Sequence, residues 1–587
     1  MMDDMPRLTD PRLKPGADLL AEGRAQARDW RMGTSRFMRE SGHASEAAYK
    51  RAAMAEGRVM QHAHIGFRNV ERTIGAMAEL HGRALEQGFR IDRFGITLDW
   101  SMGYPTALRA DARRGTGIVL AGPEDFARII EASPAATHFG DFMLGLPGAL
   151  ENTRSAVAAG ATAIGNLGQY FTFRLPHWDD DVATTEATVA ALGLIAAQEA
   201  EILVHSNLDD GFAGLFIDMA CALGMVIIEK HIVEGLISAR LGHCYGHHFS
   251  DPLSRSAFHE ALVAVTDTPG TMIFGNTVAY RAEPAVNYAS LGSYLLADIL
   301  SVTRSPSGHA INPVPVTENQ RIPDTDEILD AQGFAARLAR HARHWPVMID
   351  MTPINREAGR MVEGGRRFAA TALKGLEGLG VDILDPAALM LAIRRIGPRR
   401  MEALWGPGEM QNGRRQPILH AEWARELNEM AEDWLAARGA DPLGGARPRI
   451  CIGTTDVHEH GKYLVERAIE GLGAETVDAG VSVDPGVLVA RGVEAGADAL
   501  AISTYNGVAL GYAQAVRAEL DRRGVDLPVL MGGKLNQVPT ESNSGLPVDV
   551  SKEIAAIGIT PCDSLDDMLA AIRAFTGTPR KTLTQQE

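Results

Sequence analysis

Cysteine is scarce: Cys221, Cys244, Cys451 and Cys562 are the only four in 587 residues. Thiols so few and so scattered exclude a disulfide framework, and a reducing, cytoplasmic setting is expected. Basic charge is not in excess either. The net charge of -17 excludes a nucleic-acid binder, because nothing concentrates cations to replace counterions on phosphate. Long apolar runs are missing; the best stretch, around Gly211 to Ile228, is broken by Asp218, so no membrane span is expected. The start, Met1-Met-Asp-Asp-Met-Pro6, is acidic and lacks the basic-then-apolar order of a signal peptide.

What is present is ordinary for a soluble globular protein: 45% hydrophobic and 22% charged residues. The length exceeds one compact core and predicts several units. Residues 1–60 read as an Arg-rich helical extension broken at its start by Pro6, Pro11 and Pro15. Over residues 61–410, strand-like segments alternate with longer helical ones. Examples are Phe94-Gly-Ile-Thr-Leu, Ala163-Ile-Gly-Asn, Ile202-Leu-Val-His-Ser, Val226-Ile-Ile-Glu-Lys and Val347-Met-Ile-Asp-Met. Such alternation predicts a parallel α/β unit, and its length suits a TIM-like (β/α)8 barrel holding a small-molecule substrate. A doubly wound sheet has the same pattern. Residues 411–447 read as a helix and a breaker-rich linker, Gly439 to Pro448. Residues 448–576 then repeat the alternation in Ile450-Cys-Ile-Gly-Thr-Thr, Glu475-Thr-Val-Asp-Ala, Ala499-Leu-Ala-Ile-Ser and Pro528-Val-Leu-Met-Gly-Gly. This predicts a flavodoxin-like (Rossmann-type) unit, with 577–587 as a polar tail.

The strongest motif follows the first strand of that unit: Thr455-Asp456-Val457-His458-Glu459-His460-Gly461. It resembles the Asp-x-His-x-x-Gly signature of cobalamin-binding domains. The resemblance implies His458 as lower ligand of cobalt, Asp456 as acceptor for its other ring nitrogen, and Gly461 as the point where the nucleotide tail passes the backbone. Three further segments match at family spacing. Ser503-Thr-Tyr505-Asn-Gly507 sits where the family has Ser-x-Leu, although a stricter threading places Ile502 and Thr504 on that pair. Gly532-Gly533 would line the groove for the tail, and Gly558-Ile-Thr560-Pro561 would form the last loop over it.

The long α/β unit narrows the resemblance to adenosylcobalamin-dependent mutases. Leu144-Gly-Leu-Pro-Gly148, Asn166-Leu-Gly168-Gln-Tyr-Phe-Thr-Phe-Arg174-Leu-Pro176-His177 and Ser305-Pro…Pro315-Val-Thr317-Glu318 are similar, in order, to segments of the large subunit of glutamate (methylaspartate) mutase. The family usually keeps barrel and cobalamin domain as separate chains; here they would be fused. The resemblance implies a radical 1,2-rearrangement, a homodimer and a cobalamin reactivation chaperone as partner. The runners-up are a corrinoid methyltransferase and a corrinoid carrier or regulator. The family's three substrate-binding arginines thread onto His64, Gly103 and His138, its glutamate onto Leu167, and its two tyrosines onto Phe173 and His177. Arginine forks hold both carboxylates of glutamate in that family, so glutamate cannot be held here in the same way.

Arg174, His177, His138 and His64 are therefore the candidate substrate-contacting catalytic residues. By position alone, Arg304, Asn312 and Glu318 would meet the adenosyl ribose. The cluster His243-Cys-Tyr-Gly-His247-His248 reads as a loop for substrate hydrogen bonds, a metal site or plain surface polarity. Lys534, after Gly532-Gly533, reads as a solvated lysine, with a Schiff-base role as the bolder alternative.

Overall fold

Short apolar segments between breakers form most of the strands, and the helices between them bury one face each. The computed structural model describes residues 5–112, 115, 117–207, 213–247, 249, 251–276, 280, 283–411, 414–456, 459–505, 507–537 and 547–577. Two compact units separate: Met1–Leu175 with Asp179–Glu422, and Pro176–Trp178 with Trp423–Glu587. Among the described residues no helix is long and apolar enough to cross a membrane.

The first unit is an eight-stranded parallel barrel. Its strands are β1 (His62–Ile65), β2 (Arg93–Ile96), β3 (Ala136–Phe139), β4 (Ala163–Ile164), β5 (Leu203–Asn207), β6 (Arg240–Tyr245), β7 (Met272–Ile273) and β8 (Ala310–Ile311), each paired with its neighbour in chain order. The Ile311 amide donates to the Met60 carbonyl at 2.9 Å, and a bridge between Gln61 and Ile311 brings β8 back to β1. Side chains alternate across each strand. His62 pairs in register with Arg93 and Ala136, and His64 with Gly95 and His138, so these six share two interior levels.

The N-terminal extension is part of this unit. Its helix Glu46–Ala55 closes one end of the barrel: Ala47 packs with Ala163 and Leu203, and Tyr49 and Ala53 pack with Ala136 and Ala310. Glu46 pairs with Arg93 at 2.8 Å and with Lys50 at 3.5 Å, all three buried, and Lys50 Nζ donates to the Thr271 and Gly308 carbonyls at 2.8 and 2.7 Å.

Two expected strands are corrected. Val226–Lys230 is the end of helix Met219–Lys230. That helix is buried nearly all round, with Gly224 against Phe368 and the Gly365 carbonyl, so no helical periodicity marks it in sequence. Val347 and Met348 instead end a tight 3-10 segment, Ala342–Met348, and residues 349–351 lead on to helix Thr352–Gly378. Pro346 interrupts the 3-10 segment, and Val347 and Met348 stand exposed, so apolar residues there signal no ladder.

The second unit is a five-stranded parallel sheet. Its strands are β9 (Arg449–Thr454), β10 (Glu475–Gly480), β11 (Ala499–Thr504), β12 (Val529–Gly533) and β13 (Thr560–Cys562), ordered β10-β9-β11-β12-β13. Counted in chain order this is 2-1-3-4-5. Cys451, Leu500, Ile502 and Met531 bury on one face with helices Pro485–Glu494 and Ala509–Arg523. Ile450, Ile452, Ala501 and Leu530 bury on the other with helices His460–Gly471 and Leu565–Thr576. Strands covered on both faces read as the continuous apolar runs seen in the sequence.

Glycine spacing makes the extension's packing testable. In helix Gly16–Gln26, a β-carbon at Gly23 would stand 2.0 Å from the Ala190 carbonyl oxygen of helix Asp181–Ala196, whereas one at Gly75, in helix Val70–Glu86, meets nothing within 4 Å. Gly23→Ala should therefore cost about 1–3 kcal/mol by overpacking, and Gly75→Ala should stabilise by up to about 1 kcal/mol, both read by urea unfolding. Equal effects at the two positions would contradict this packing.

Candidate functional site

The densest polar stitching of the second unit lies where β9 and β11 end. Asp456 is buried, and its Oδ2 accepts from the Tyr505 amide and the Thr455 hydroxyl, each at 3.0 Å. The Thr454 hydroxyl and the Ser482 amide both donate to the Asp456 carbonyl, and Thr455 Oγ1 meets Thr504 Oγ1 at 2.9 Å. The segments after β9 and β11 are thus joined through one carboxylate. Val457 and His458, the expected cobalt ligand, lie outside the described residues.

Downstream, the chain is pinned again. Lys462 is fully buried, with Nζ 2.6 Å from Asp478 Oδ1, 3.1 Å from Glu466 Oε1 and 3.4 Å from Glu459 Oε1. His460 stacks on Trp423 with centroids 4.3 Å apart, and the Tyr463 hydroxyl donates to Asn428 Oδ1 at 3.0 Å. Gly461 packs closely on Ser503: a β-carbon there would stand 2.9 Å from Ser503 Oγ. Ser503 therefore faces the start of helix His460–Gly471, while Thr504 faces Thr455. None of Lys462, Glu466, Asp478 and Trp423 was singled out by sequence, because their partners are distant along the chain or fall on unremarkable helix positions.

Small residues line the same edge of the sheet. Gly507 has φ 69° and Gly533 φ 100°, and a β-carbon at Gly533 would stand 2.3 Å from the Thr504 carbonyl. Gly532 lies beside the Cys562 carbonyl. Lys534 sits over the half-exposed Tyr505 ring, 4.4 Å from its centroid and 3.3 Å from its hydroxyl. The expected last loop is corrected: Thr560 and Pro561 are residues of β13, paired with Leu530 and Met531. Cys562, not Thr560, stands level with Gly532.

In the barrel, His64 and His138 occupy one interior level, and His62 and His205 are buried beside them. His62 and His64 ring centroids are 5.9 Å apart, and those of His138 and His205 4.3 Å. Glycines make room for these rings: β-carbons at Gly95, Gly140 and Gly165 would stand 2.7, 2.7 and 2.5 Å from the His62 and His64, His138 and His205 rings. His64 Nε2 meets Thr97 Oγ1 at 2.6 Å, and His205 Nδ1 meets Thr271 Oγ1 at 2.8 Å. Burial, reinforced by the Arg93 charge, holds His62, His138 and His205 well below the ordinary imidazole range and pushes His64 down to about 4. The barrel interior therefore presents neutral imidazoles.

Of the candidate catalytic residues, His64 and His138 share the interior level described above. Arg174 is exposed, and the exposed His177, at φ 59°, belongs to the short segment grouped with the second unit. Of the loop expected at His243–His248, His243 and Cys244 lie instead within β6. His243 and Cys244 are consecutive in β6, so they point to opposite faces. His243 Nε2 is 3.5 Å from the buried Glu229 carboxylate, whereas His247 lies edge-on to Phe274. His248 lies outside the described residues. Among the described residues, no group of three or more His, Cys, Asp or Glu side chains is placed to hold a metal ion.

No protein-family model and no curated protein matches the chain. Among solved structures it is similar to a cobalamin-binding protein from Desulfitobacterium hafniense, at 17% identity, covering 26% of this chain and 79% of that one, with a TM-score of 0.19. It is also similar to the methanol:cobalamin methyltransferase complex of Methanosarcina barkeri, at 15% identity, 51% and 86% coverage and a TM-score of 0.19. A third is the carboxyl transferase domain of Rhizobium etli pyruvate carboxylase, at 10% identity, 80% and 83% coverage and a TM-score of 0.29. At such scores the likenesses carry no functional argument.

The neutral histidines make stability pH-dependent. Their folded pKa values lie below the ordinary 6.5, so the unfolded chain takes up protons first as pH falls. Stability should be complete above about pH 6.5 and decline below it, with the His64 contribution falling until about pH 4. Urea unfolding at pH 7.5 and 5.5 reads this, and His138→Gln should flatten the difference. A stability independent of pH across that window would show that these rings are not held neutral.

Proposed function

We propose that the chain is an adenosylcobalamin-dependent radical mutase, its second unit holding the cofactor and its barrel the substrate. The observation that carries this reading is the Asp456 carboxylate, fixed by the Tyr505 amide and the Thr455 hydroxyl within an Asp-x-His-x-x-Gly segment. It stands at the carboxyl edge of a sheet ordered 2-1-3-4-5, between the first and third strands. Doubly wound sheets of the flavodoxin kind share that order and bind ligands where it reverses.

The residues present fit the cofactor. Asp456 supplies an anchored acceptor of the kind that orients a ligating imidazole and raises its basicity, a role it would play toward His458 once cobalamin is bound. Gly461, Gly507, Gly532 and Gly533 keep the edge free of β-carbons, and Ser503 and Tyr505 offer polar contacts beside them. Adenosylcobalamin, when bound, supplies the hydrogen-abstraction chemistry of a 1,2-rearrangement. The barrel binds and orients the substrate and excludes water, its far end closed by helix Glu46–Ala55. No acid–base pair is required of the protein for such a step. Among the described residues of the second unit, one helix, Glu422–Ala436, stands before β9 rather than a bundle, which favours a mutase over a methyltransferase or carrier. His64 and His138, in place of arginines, argue for a substrate other than glutamate, and Arg174 and His177 remain its candidate exposed contacts. A homodimer and a reactivation chaperone belong to the same reading.

Titration of the full chain with adenosylcobalamin and methylcobalamin, followed by visible absorbance, tests it. The adenosyl form should bind more tightly. Asp456→Asn should weaken binding about 10–100-fold, and His458→Ala more. Preference for the methyl form, or unchanged binding by His458→Ala, would overturn the reading.

A further inference from the structure

Cobalamin carries its own base on a tether, so that base meets cobalt at high effective concentration. A protein histidine displaces it only if it is already held in place, since a loose one bears the cost of ordering on binding. On the reading proposed above, the chain must therefore be fixed on both sides of His458. Asp456 fixes it upstream, through its carboxylate and its carbonyl. Downstream, Glu459 follows His458 by one peptide bond and stands at the N-cap of helix His460–Gly471.

The side chain that meets Glu459 is Lys462, whose Nζ lies 3.4 Å from Glu459 Oε1 and 3.1 Å from Glu466 Oε1 of the same helix. It also crosses to the sheet, 2.6 Å from Asp478 Oδ1 of β10. Asp478 is itself anchored, because the same oxygen accepts the Gly480 amide at 2.7 Å. It stands where the register of β9 with β10 slips by one residue: Ile452 lies opposite Asp478, and Gly453 opposite Gly480. A bulge of this kind re-aims side chains. One buried ammonium thus ties the first turn of the motif helix to a neighbouring strand. Three carboxylates around one lysine, two of them buried with it, are more than charge balance asks. A buried ion cluster is weak evidence for stability, and its best-attested use is to fix a register.

We propose that Lys462 is a positioning residue for the cobalt ligand: by tying Glu459 to Asp478 of β10, it holds the backbone that follows His458, so that histidine and not the tethered base occupies cobalt. The inference rests on the cobalamin reading and adds to it a residue outside the Asp-x-His-x-x-Gly segment. Lys462 acts through the main chain at Glu459, whereas Asp456 is the acceptor for the ring itself. Loss of Lys462 should therefore change which base binds cobalt, beyond any loss of stability.

The test is the electron paramagnetic resonance spectrum of Co(II) cobalamin bound to the full chain carrying 15N histidine. Histidine on cobalt splits the signal into two lines, and the cofactor's own 14N base into three. Lys462→Met should weaken cobalamin binding about 10-fold. It should also move part of the bound cofactor from the two-line pattern to the three-line pattern, or to one without nitrogen splitting. Asp478→Asn, at a half-exposed partner, should do the same to a smaller extent, and it decides alone if Lys462→Met does not fold. Val516→Ala opens a cavity on the opposite face of the sheet; it should lower stability and keep the two-line pattern whole. An undivided two-line pattern in Asp478→Asn, and in Lys462→Met where it folds, would overturn the proposal. So would an equal change of pattern in Val516→Ala. A wild-type chain without the two-line pattern would overturn the cobalamin reading and this proposal with it, whereas the variants bear on Lys462 alone.

Discussion

Everything in the barrel interior depends on one buried ionic contact, Glu46 with Arg93 and Lys50. Three charges removed from water are tolerable only if each is answered, and breaking such a cluster strands the remainder at a cost of about 3–5 kcal/mol. Here the answer is complete enough to hold. Glu46 pairs with both cations, and Lys50 spends two further donors on the carbonyls of Thr271 and Gly308. The contact reaches from the N-terminal extension to β2, β7 and the approach to β8, so one helix closes the barrel floor. It also decides the chemistry above. Arg93 fixes the tautomer of His62, and its charge helps keep His62, His138 and His205 neutral. The barrel interior is thus floored by a paired cation and walled by imidazoles held neutral.

The second unit concentrates its polar bonding in the same economical way. A parallel sheet leaves its carboxyl edge to loops, and the order 2-1-3-4-5 separates the loops after β9 and β11 onto opposite faces. Asp456 draws them together through the Tyr505 amide, and Lys462 and Trp423 secure the chain on the far side of the motif. The histidine of the motif is thus flanked by fixed residues at 456 and from 459 onward. Preorganisation of this kind lowers the cost of bringing a ligand into position.

How much of this was legible in the residues differs between the units. Three strands of the second sheet, β9, β11 and β12, were readable because each is a compact apolar run buried on both faces, whereas the edge strand β10 is partly exposed and was readable only by its place in the alternation. The fifth, Thr560–Cys562, was not: three residues with a proline at the centre look like a turn, yet an edge strand tolerates proline. The barrel was legible as a class but less so in detail. Its working strands carry His62, His64, Arg93, His138 and His205 inward, so polar residues stand where a core pattern would have apolar ones. Val226–Lys230, by contrast, has a strand's composition inside a wholly buried helix. The Asp-x-His-x-x-Gly segment stood out because its chemistry is local in sequence. The contact of Lys462 with Asp478, and the pairing of His62 with Gly95 and Arg93, join residues separated by whole elements.

The central claim is that this motif delivers a histidine to cobalt. The most direct measurement is the electron paramagnetic resonance spectrum of Co(II) cobalamin bound to the full chain, prepared once with ordinary and once with 15N histidine. The account predicts a superhyperfine splitting from one axial nitrogen that changes from three lines to two on labelling and disappears in His458→Ala. A splitting unaffected by the label, showing that the cofactor's own base remains on cobalt, would contradict it.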